Sequence, residues 1–406
     1  MEFSSEAELR RFAAANNEFA VGLYQELRKN DGNLFLAPFS VRSALTAVYA
    51  GARGRTAFEM ALVLHLSVKN TDVFRTCRDF ATELASRAES GAVEIASALA
   101  LWSQTDLALL ASYTEIVKDA LGAQFMNADF ERSPDEAVRI INSWAMEKTR
   151  GRIAQLTGPE SVDRSTRLVL ASAIFFQGKW ALPFAKSETR PAPFRLPRSA
   201  GTVQVAMMNL EDSFKYAQLD GFQAAEFPYL GGKMSMVVLL PDARDGWIDL
   251  EKRLSAPELS QWFGDLKEER IDVSLPKFEI GTSFRLDQEL GRMGLRDAFG
   301  FESADFSGMT LEKPFGISAI THSARIEVDE AGTLAAAATA ISLVRGVNKK
   351  PVFRADHPFL VFIRDIPTET ILFIGRVLKP EWTGEASETP ARPSRLTRLM
   401  RILGLK

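Results

Sequence analysis

Side chains suited to nucleophilic, general-base or metal chemistry are few in this 406-residue chain: His65, His322, His357 and the single cysteine, Cys77. They are too few and too scattered for a metal-ligand set. No G-x-S-x-G elbow, phosphate-binding G-x-x-x-x-G-K-[ST] loop or H-E-x-x-H helix occurs. His357, in D-H-P before Pro358, reads as a ring that anchors a turn, and a catalytic role would need a nucleophile the sequence does not offer. His322, in I-T-H-S-A-R-I-E-V, lies on a strand leading to Glu330 and reads by default as a buried, satisfied histidine. These residues do not add up to an enzyme, and no cofactor is called for.

The unusual stretch is Glu327 to Pro358, E-V-D-E-A-G-T-L-A-A-A-A-T-A-I-S-L-V-R-G-V-N-K-K-P-V-F-R-A-D-H-P. It begins as an alternating strand and changes character at Gly332. From Thr333 to Ala340 the side chains are small apart from Leu334. Alanine is the best helix former, so one reading is a helical turn. The other is a strand able to enter a crowded sheet, because alternate residues (Thr333, Ala335, Ala337, Thr339) would share one packed face without overfilling it. Ala336 and Ala338 are as small on the opposite face, and Gly332 would be the hinge.

Composition frames both readings. With 49 basic and 52 acidic residues the net charge is -3, a balance that argues against bulk nucleic-acid binding. One cysteine allows no intrachain disulfide. No run reaches the roughly 18 apolar residues of a spanning helix, so a soluble protein is expected. The N-terminus has acids near its start and no apolar run of signal-peptide length; if the chain is complete, a cytoplasmic location follows.

The elements that must position these residues read in order. Glu6 to Arg28 is an amphipathic helix. Asn33 to Met60 gives a short strand, a proline and a buried helix rich in small residues. Pro134 to Ile153 is a helix with Ser133 as its cap, and Leu168 to Trp180 is a strand buried on both faces. Strands follow at Val203 to Met208, Phe214 to Leu219, Ala224 to Pro228, Met234 to Leu240 and Ile271 to Ile280, with closing strands at Leu360 to Ile363 and Ile371 to Val377.

Several of these stretches carry specific motifs: F-F-Q-G-K-W at 175–180, I-N-S-W-A-M-E-K-T-R-G-R-I at 141–153, L-P-K-F at 275–278, A-D-F-S-G-M at 304–309 and E-A-G-T-L-A-A-A-A-T-A at 330–340. Together they resemble the serpin family, specifically its inhibitory members, from about residue 6 to Pro380. The resemblance implies an α+β fold with three β-sheets, the large one central, and about nine helices. It implies one domain over 1–382 with a reactive centre loop over 331–355. A target protease cleaves that loop, and the freed segment enters the central sheet carrying the acylated protease with it.

The resemblance also assigns residues. Glu330, Gly332, Thr333, Ala335, Ala336, Ala337, Ala338 and Thr339 form the hinge. Ser40, Ser172 and His322 match the shutter beneath the sheet, where the family usually has serine in place of Ala37 and asparagine in place of Ser172; the shorter serine is expected to reach less far. Trp180, Lys277 and Glu330 match the breach at the top. Counting forward from Gly332 gives Gly346 and counting back from Pro358 gives Val347, which leaves a window of Arg345, Gly346 and Val347. Arg345 is the only one of these with strong primary specificity, so Arg345–Gly346 is taken as the reactive bond, implying a trypsin-like target, with Val347–Asn348 and an elastase-like target as the rival. A cysteine protease is a further possible partner. From Thr333 to Arg345 an extended strand spans roughly 40 Å.

The implied function is suicide inhibition of a serine protease by a monomer. The alternative is a non-inhibitory serpin used in binding, chaperoning or storage, against which the small hinge residues argue. An extracellular location is usual for the family. Residues 383–406 lie outside the resemblance, and their basic residues alternate with Leu396, Leu399, Met400 and Leu403 on one helical face. That pattern fits a frayed terminus or contact with a membrane surface.

Overall fold

Helix α1 (Glu6–Leu27) starts where Ser5 and Glu8 satisfy each other's backbone: the Ser5 hydroxyl accepts from the Glu8 amide at 3.3 Å, and the Glu8 carboxylate accepts from the Ser5 amide at 2.7 Å. Strand β1 (Leu34–Leu36) follows, and Pro38 opens α2 (Pro38–Tyr49), whose cap residue Ala37 has no side-chain acceptor to offer. The stretch then turns at Gly51, in the segment G-A-R-G-R-T at 51–56. A Cβ there would lie 2.6 Å from Met309 Cβ, so the backbone packs against Met309, turns, and restarts as α3 (Gly54–Val63). The structure, a computed structural model, describes residues 4–66, 73–89, 91–330 and 350–383.

Next come α4 (Val73–Glu89), β2 (Val93–Gln104), α5 (Ala111–Leu121), β3 (Gln124–Ala128) and α6 (Pro134–Lys148). Helix α6 stops at Lys148 rather than Ile153. The Thr149 hydroxyl donates back to the Ala145 carbonyl at 2.7 Å and accepts the Ile153 amide at 3.0 Å, while Arg150 and Gly151 take φ of 54° and 82°. Strand β4 (Leu168–Gly178) is followed by the proline-containing β5 (Arg190–Arg195) and by β6 (Thr202–Leu219). Two strands were expected within β6, but its polar middle, Asn209 to Ser213, stays extended because a partner strand pairs with it from Met207 to Tyr216.

That partner is β9 (Lys267–Pro276), reached after β7 (Phe222–Pro228), β8 (Met234–Pro241), α7 (Trp247–Arg253) and α8 (Ala256–Gly264). The strand expected over Ile271 to Ile280 is divided: β9 ends at Pro276 and β10 (Phe278–Arg285) belongs to another sheet, with Lys277 at the crossing. Proline has no amide for the ladder, and the Lys277 amide makes its last bond, to the Ala206 carbonyl at 2.8 Å, before the chain crosses. The chain closes with α9 (Asp287–Met293), β11 (Ala319–Val328), β12 (Val352–Arg354), β13 (Phe359–Asp365) and β14 (Thr370–Val377).

The nine α-helices among the described residues surround two hydrogen-bonded sheets in an α+β arrangement. One has five strands in the order β10-β11-β4-β2-β3; the other has nine, β1-β14-β13-β8-β7-β6-β9-β12 with β5 beside β6. Three sheets were expected. The 18-residue β6 pairs with β5 and β9 along most of its length and with β7 at its end, which joins the two smaller sheets into one network. One face of the five-stranded sheet is buried against the second sheet and α2. Its other face lies under α6, through Ala98, Ala100, Trp102, Ala171 and Ala173 against Ile141, Trp144 and Ala145.

Candidate functional site

Strands β4 and β11 are parallel neighbours at the centre of the five-stranded sheet, in register from Ala319↔Val169 to Ile326↔Phe176. On the inner face of this seam, Ser172 and His322 sit opposite each other. The Ala37 amide donates to His322 Nε2 at 3.1 Å. An amide can only donate, so Nε2 is the bare nitrogen and the ring proton is on Nδ1, which donates to the Ser172 oxygen at 3.2 Å. The Ser172 and Ser40 hydroxyls share the next bond at 2.7 Å. Burial holds the His322 pKa down at about 3, which keeps the ring neutral and this polarity fixed. The residues assigned to the shutter are therefore brought into one chain of bonds from β11 through β4 to α2. Despite its length, Ser172 reaches both neighbours directly, and where the family usually has a serine the backbone amide of Ala37 makes the bond.

At the upper end of the seam Lys277 Nζ lies 2.8 Å from the Glu330 carboxylate, with both side chains buried. Burial raises the Glu330 pKa, but hydrogen bonding and charge from Lys277 act against it, and the carboxyl ends below its usual range. Trp180 stacks on Tyr229, ring centroids 4.7 Å apart, and its Nε1 donates to the Asp329 carbonyl at 2.8 Å. Trp180 thus holds the backbone beside Glu330 rather than the ion pair itself. The Phe184 amide adds a bond to the Glu330 carbonyl at 3.0 Å. Two further residues at this end were missed from sequence. Trp382 places its ring 4.5 Å from Lys277 Nζ, and Thr383 donates to Glu279 at 2.7 Å, so the chain past Pro380 is docked on β10 at least this far.

The expected loop leaves from Glu330 at the end of the five-stranded sheet and returns on the other sheet. There Lys350 pairs with Glu211, and β12 lies parallel to β9 with Val352 opposite Asp272. Residues 350–355 of the stretch expected as loop are thus described, three of them as strand β12. His357 anchors the return, its Nε2 2.6 Å from the Pro241 carbonyl and its Nδ1 2.9 Å from Asp356. Gly332, Thr333, Ala335, Ala336, Ala337, Ala338, Thr339, Arg345, Gly346, Val347, Asn348 and the tail from Gly384 lie outside the described residues. Among the described residues no cluster of histidine, cysteine and carboxylates could hold a metal ion, and no helix is long and apolar enough to cross a membrane.

A family model described as Serpin (serine protease inhibitor) matches residues 14–380. The chain belongs to the serpin family. An uncharacterised serpin-like protein of Thermococcus kodakarensis is 38% identical over 90% of this chain and 85% of its own length. Leukocyte elastase inhibitor A of Rattus norvegicus is 36% identical over 92% of this chain and 100% of its own length. Among solved structures, uncleaved ovalbumin superposes with a TM-score of 0.81 at 30% identity, covering 91% of this chain and 100% of that one. Serpins are protease inhibitors rather than enzymes.

Proposed function

We propose that this serpin inhibits a serine protease, or a cysteine protease, by presenting Arg345–Gly346 for cleavage, keeping the protease as an acyl-enzyme, and inserting residues from Thr333 onward between β4 and β11. One observation carries the reading: β4 and β11 are direct parallel neighbours, and Glu330 stands at the end of their seam. A chain turning back at Gly332 runs antiparallel to both strands. Insertion exchanges one parallel ladder for two antiparallel ones, which are slightly more stable per residue, and adds ladder hydrogen bonds. The small side chains of Thr333 to Ala340 fit the packing under α6, where Ala171, Ala173 and Ala319 already line the sheet. The name of the rat relative, an elastase inhibitor, favours Val347–Asn348 as the second choice of bond.

The test is incubation of the intact protein with trypsin and, separately, with elastase. A complex stable in hot detergent, containing the protease and the large cleaved fragment, is expected with trypsin; with elastase alone it moves the bond to Val347. Cleavage with full recovery of protease activity in both cases rejects inhibition and leaves the non-inhibitory reading.

A further inference from the structure

We propose that Arg152 is a clasp across the β4–β11 seam, a positioning residue whose release sets how fast the sheet admits a new strand; this rests on the insertion reading above. The turn that ends α6 at Thr149 delivers Arg152 to the outer face of the sheet. Its guanidinium lies over the Phe175 ring of β4, 4.8 Å from the centroid. Its NH1 reaches both carboxylate oxygens of Glu327 on β11, at 2.8 and 2.9 Å. Phe175 stands opposite Arg325 on β11, and Glu327 is the next side chain along on the same face. One cation therefore holds an aromatic ring on one side of the seam and a carboxylate on the other.

The neighbouring charges stiffen this contact without crossing the seam again. Glu327 also lies 3.5 Å from Arg325, which pairs with Glu279 of β10 at 3.1 Å. On the β2 side, Arg150 from the same turn pairs with Glu94 at 2.9 Å. The segment after α6 is thus tied to both halves of the sheet. Further down, the outer face of the seam carries Ala173, Ala171 and Val169 beside Ser323, Thr321 and Ala319, and the one side-chain tie across it there among the described residues is a neutral bond from the Thr321 hydroxyl to the Leu170 carbonyl at 3.3 Å, with no ion pair. A strand entering between β4 and β11 moves them apart by one more inter-strand spacing, about 4.8 Å. Arg152 cannot then keep both Phe175 and Glu327. Glu327 is three residues before Glu330, so this contact stands at the end where an incoming strand starts, and it has to yield early. Ion pairing at a partly exposed site is also weakened by salt.

Sheet opening can be read without a protease by following uptake of a fluorescent acetylated peptide, T-L-A-A-A-A-T-A, the sequence of Thr333 to Ala340. Glu327→Gln and Arg152→Ser are expected to speed uptake about fivefold, the scale of one partly exposed ion pair. Sodium chloride at about 1 M should accelerate the unaltered protein and leave both variants nearly unchanged. Both substitutions should lower the melting temperature of the intact form and not of the loop-cleaved form, in which the clasp is already open. Uptake unaffected by both substitutions and by salt, or equal loss of stability in intact and cleaved forms, overturns the clasp. If the unaltered protein neither takes up peptide nor gains stability on loop cleavage, the insertion reading fails and the clasp with it. If it does both and the variants match it, the clasp alone fails.

Discussion

Lys277 and Glu330 form a buried ion pair, 2.8 Å from nitrogen to oxygen, at the one point where the chain crosses from β9 in the larger sheet to β10 in the smaller. The crossing explains why the lysine is there: its amide makes the last bond of one ladder, to the Ala206 carbonyl at 2.8 Å, which fixes the side chain toward the seam. Removing one member of a buried pair strands the other charge. Glu330→Ala is expected to cost about 3 kcal/mol of stability in the intact protein. Lys277→Met strands the Glu330 carboxylate in the same way, but it keeps apolar bulk against Trp382 and leaves a carboxyl that can shed its charge by taking up a proton, so it should cost less. Urea unfolding of both variants checks the order, and a larger loss for Lys277→Met would contradict it.

Ser172 and Ser40 allow a sharper comparison, because they occupy unequal places in one chain of bonds. Ser172→Ala leaves the buried His322 Nδ1 proton without its acceptor and should cost about 1–3 kcal/mol. Ser40→Ala removes only the far end, since Ser172 still serves His322, and should cost about 1 kcal/mol. Equal losses in denaturant unfolding would mean that the hydroxyls do not act in the order given by the geometry.

His322 also gives a pH dependence of definite sign. Its folded pKa is about 3, against about 6.5 for a free histidine. Between these values the unfolded chain binds a proton that the folded one refuses. Stability therefore falls as pH drops from about 6.5 toward 3, by up to about 1.4 kcal/mol per pH unit. His322→Gln offers an acceptor and a donor without titrating, so its melting temperature should fall less steeply than that of the unaltered protein between pH 7 and 4.5. Parallel curves would show that other groups govern acid lability.

The long buried runs were legible in sequence, and for a physical reason: Leu168 to Gly178 and Ile371 to Val377 have no polar face to present, which leaves only the middle of a sheet. The divisions were less legible because they depend on partners far along the chain. Asn209 to Ser213 looks like a break and is strand because β9 covers it. Pro276–Lys277 looks continuous and is a crossing. The polar residues that meet at the seam could be placed only through the family's motifs, since nothing in the local pattern joins Ala37 to His322 over 285 residues. Arg152 lay inside the motif at 141–153, but the resemblance assigned it no role. Trp382 lay beyond the motifs altogether, and its contact with Lys277 depends on the docking of Glu381 against Glu279.

Strand lengths connect hinge and bait in one last prediction. Strand β11 has 10 residues, about 30 Å from first to last at 3.3 Å per step, whereas an extended Thr333 to Arg345 would span roughly 40 Å. A fully inserted segment would therefore outrun β11 by about three residues, so that Arg345 would emerge past Ala319 with whatever is esterified to it. Each end of that segment can be altered alone. Thr333→Arg puts a charge where the entering strand must be buried, a step that is unfavourable without a partner; cleavage should stay fast while the covalent complex is lost, giving a substrate in place of an inhibitor. Arg345→Ala leaves insertion intact and should abolish recognition by trypsin, with no cleavage at that bond. Loop cleavage of the Arg345→Ala variant elsewhere by elastase should still raise its melting temperature. A Thr333→Arg protein that traps trypsin as well as the unaltered one would mean the segment does not enter the sheet at its hinge end.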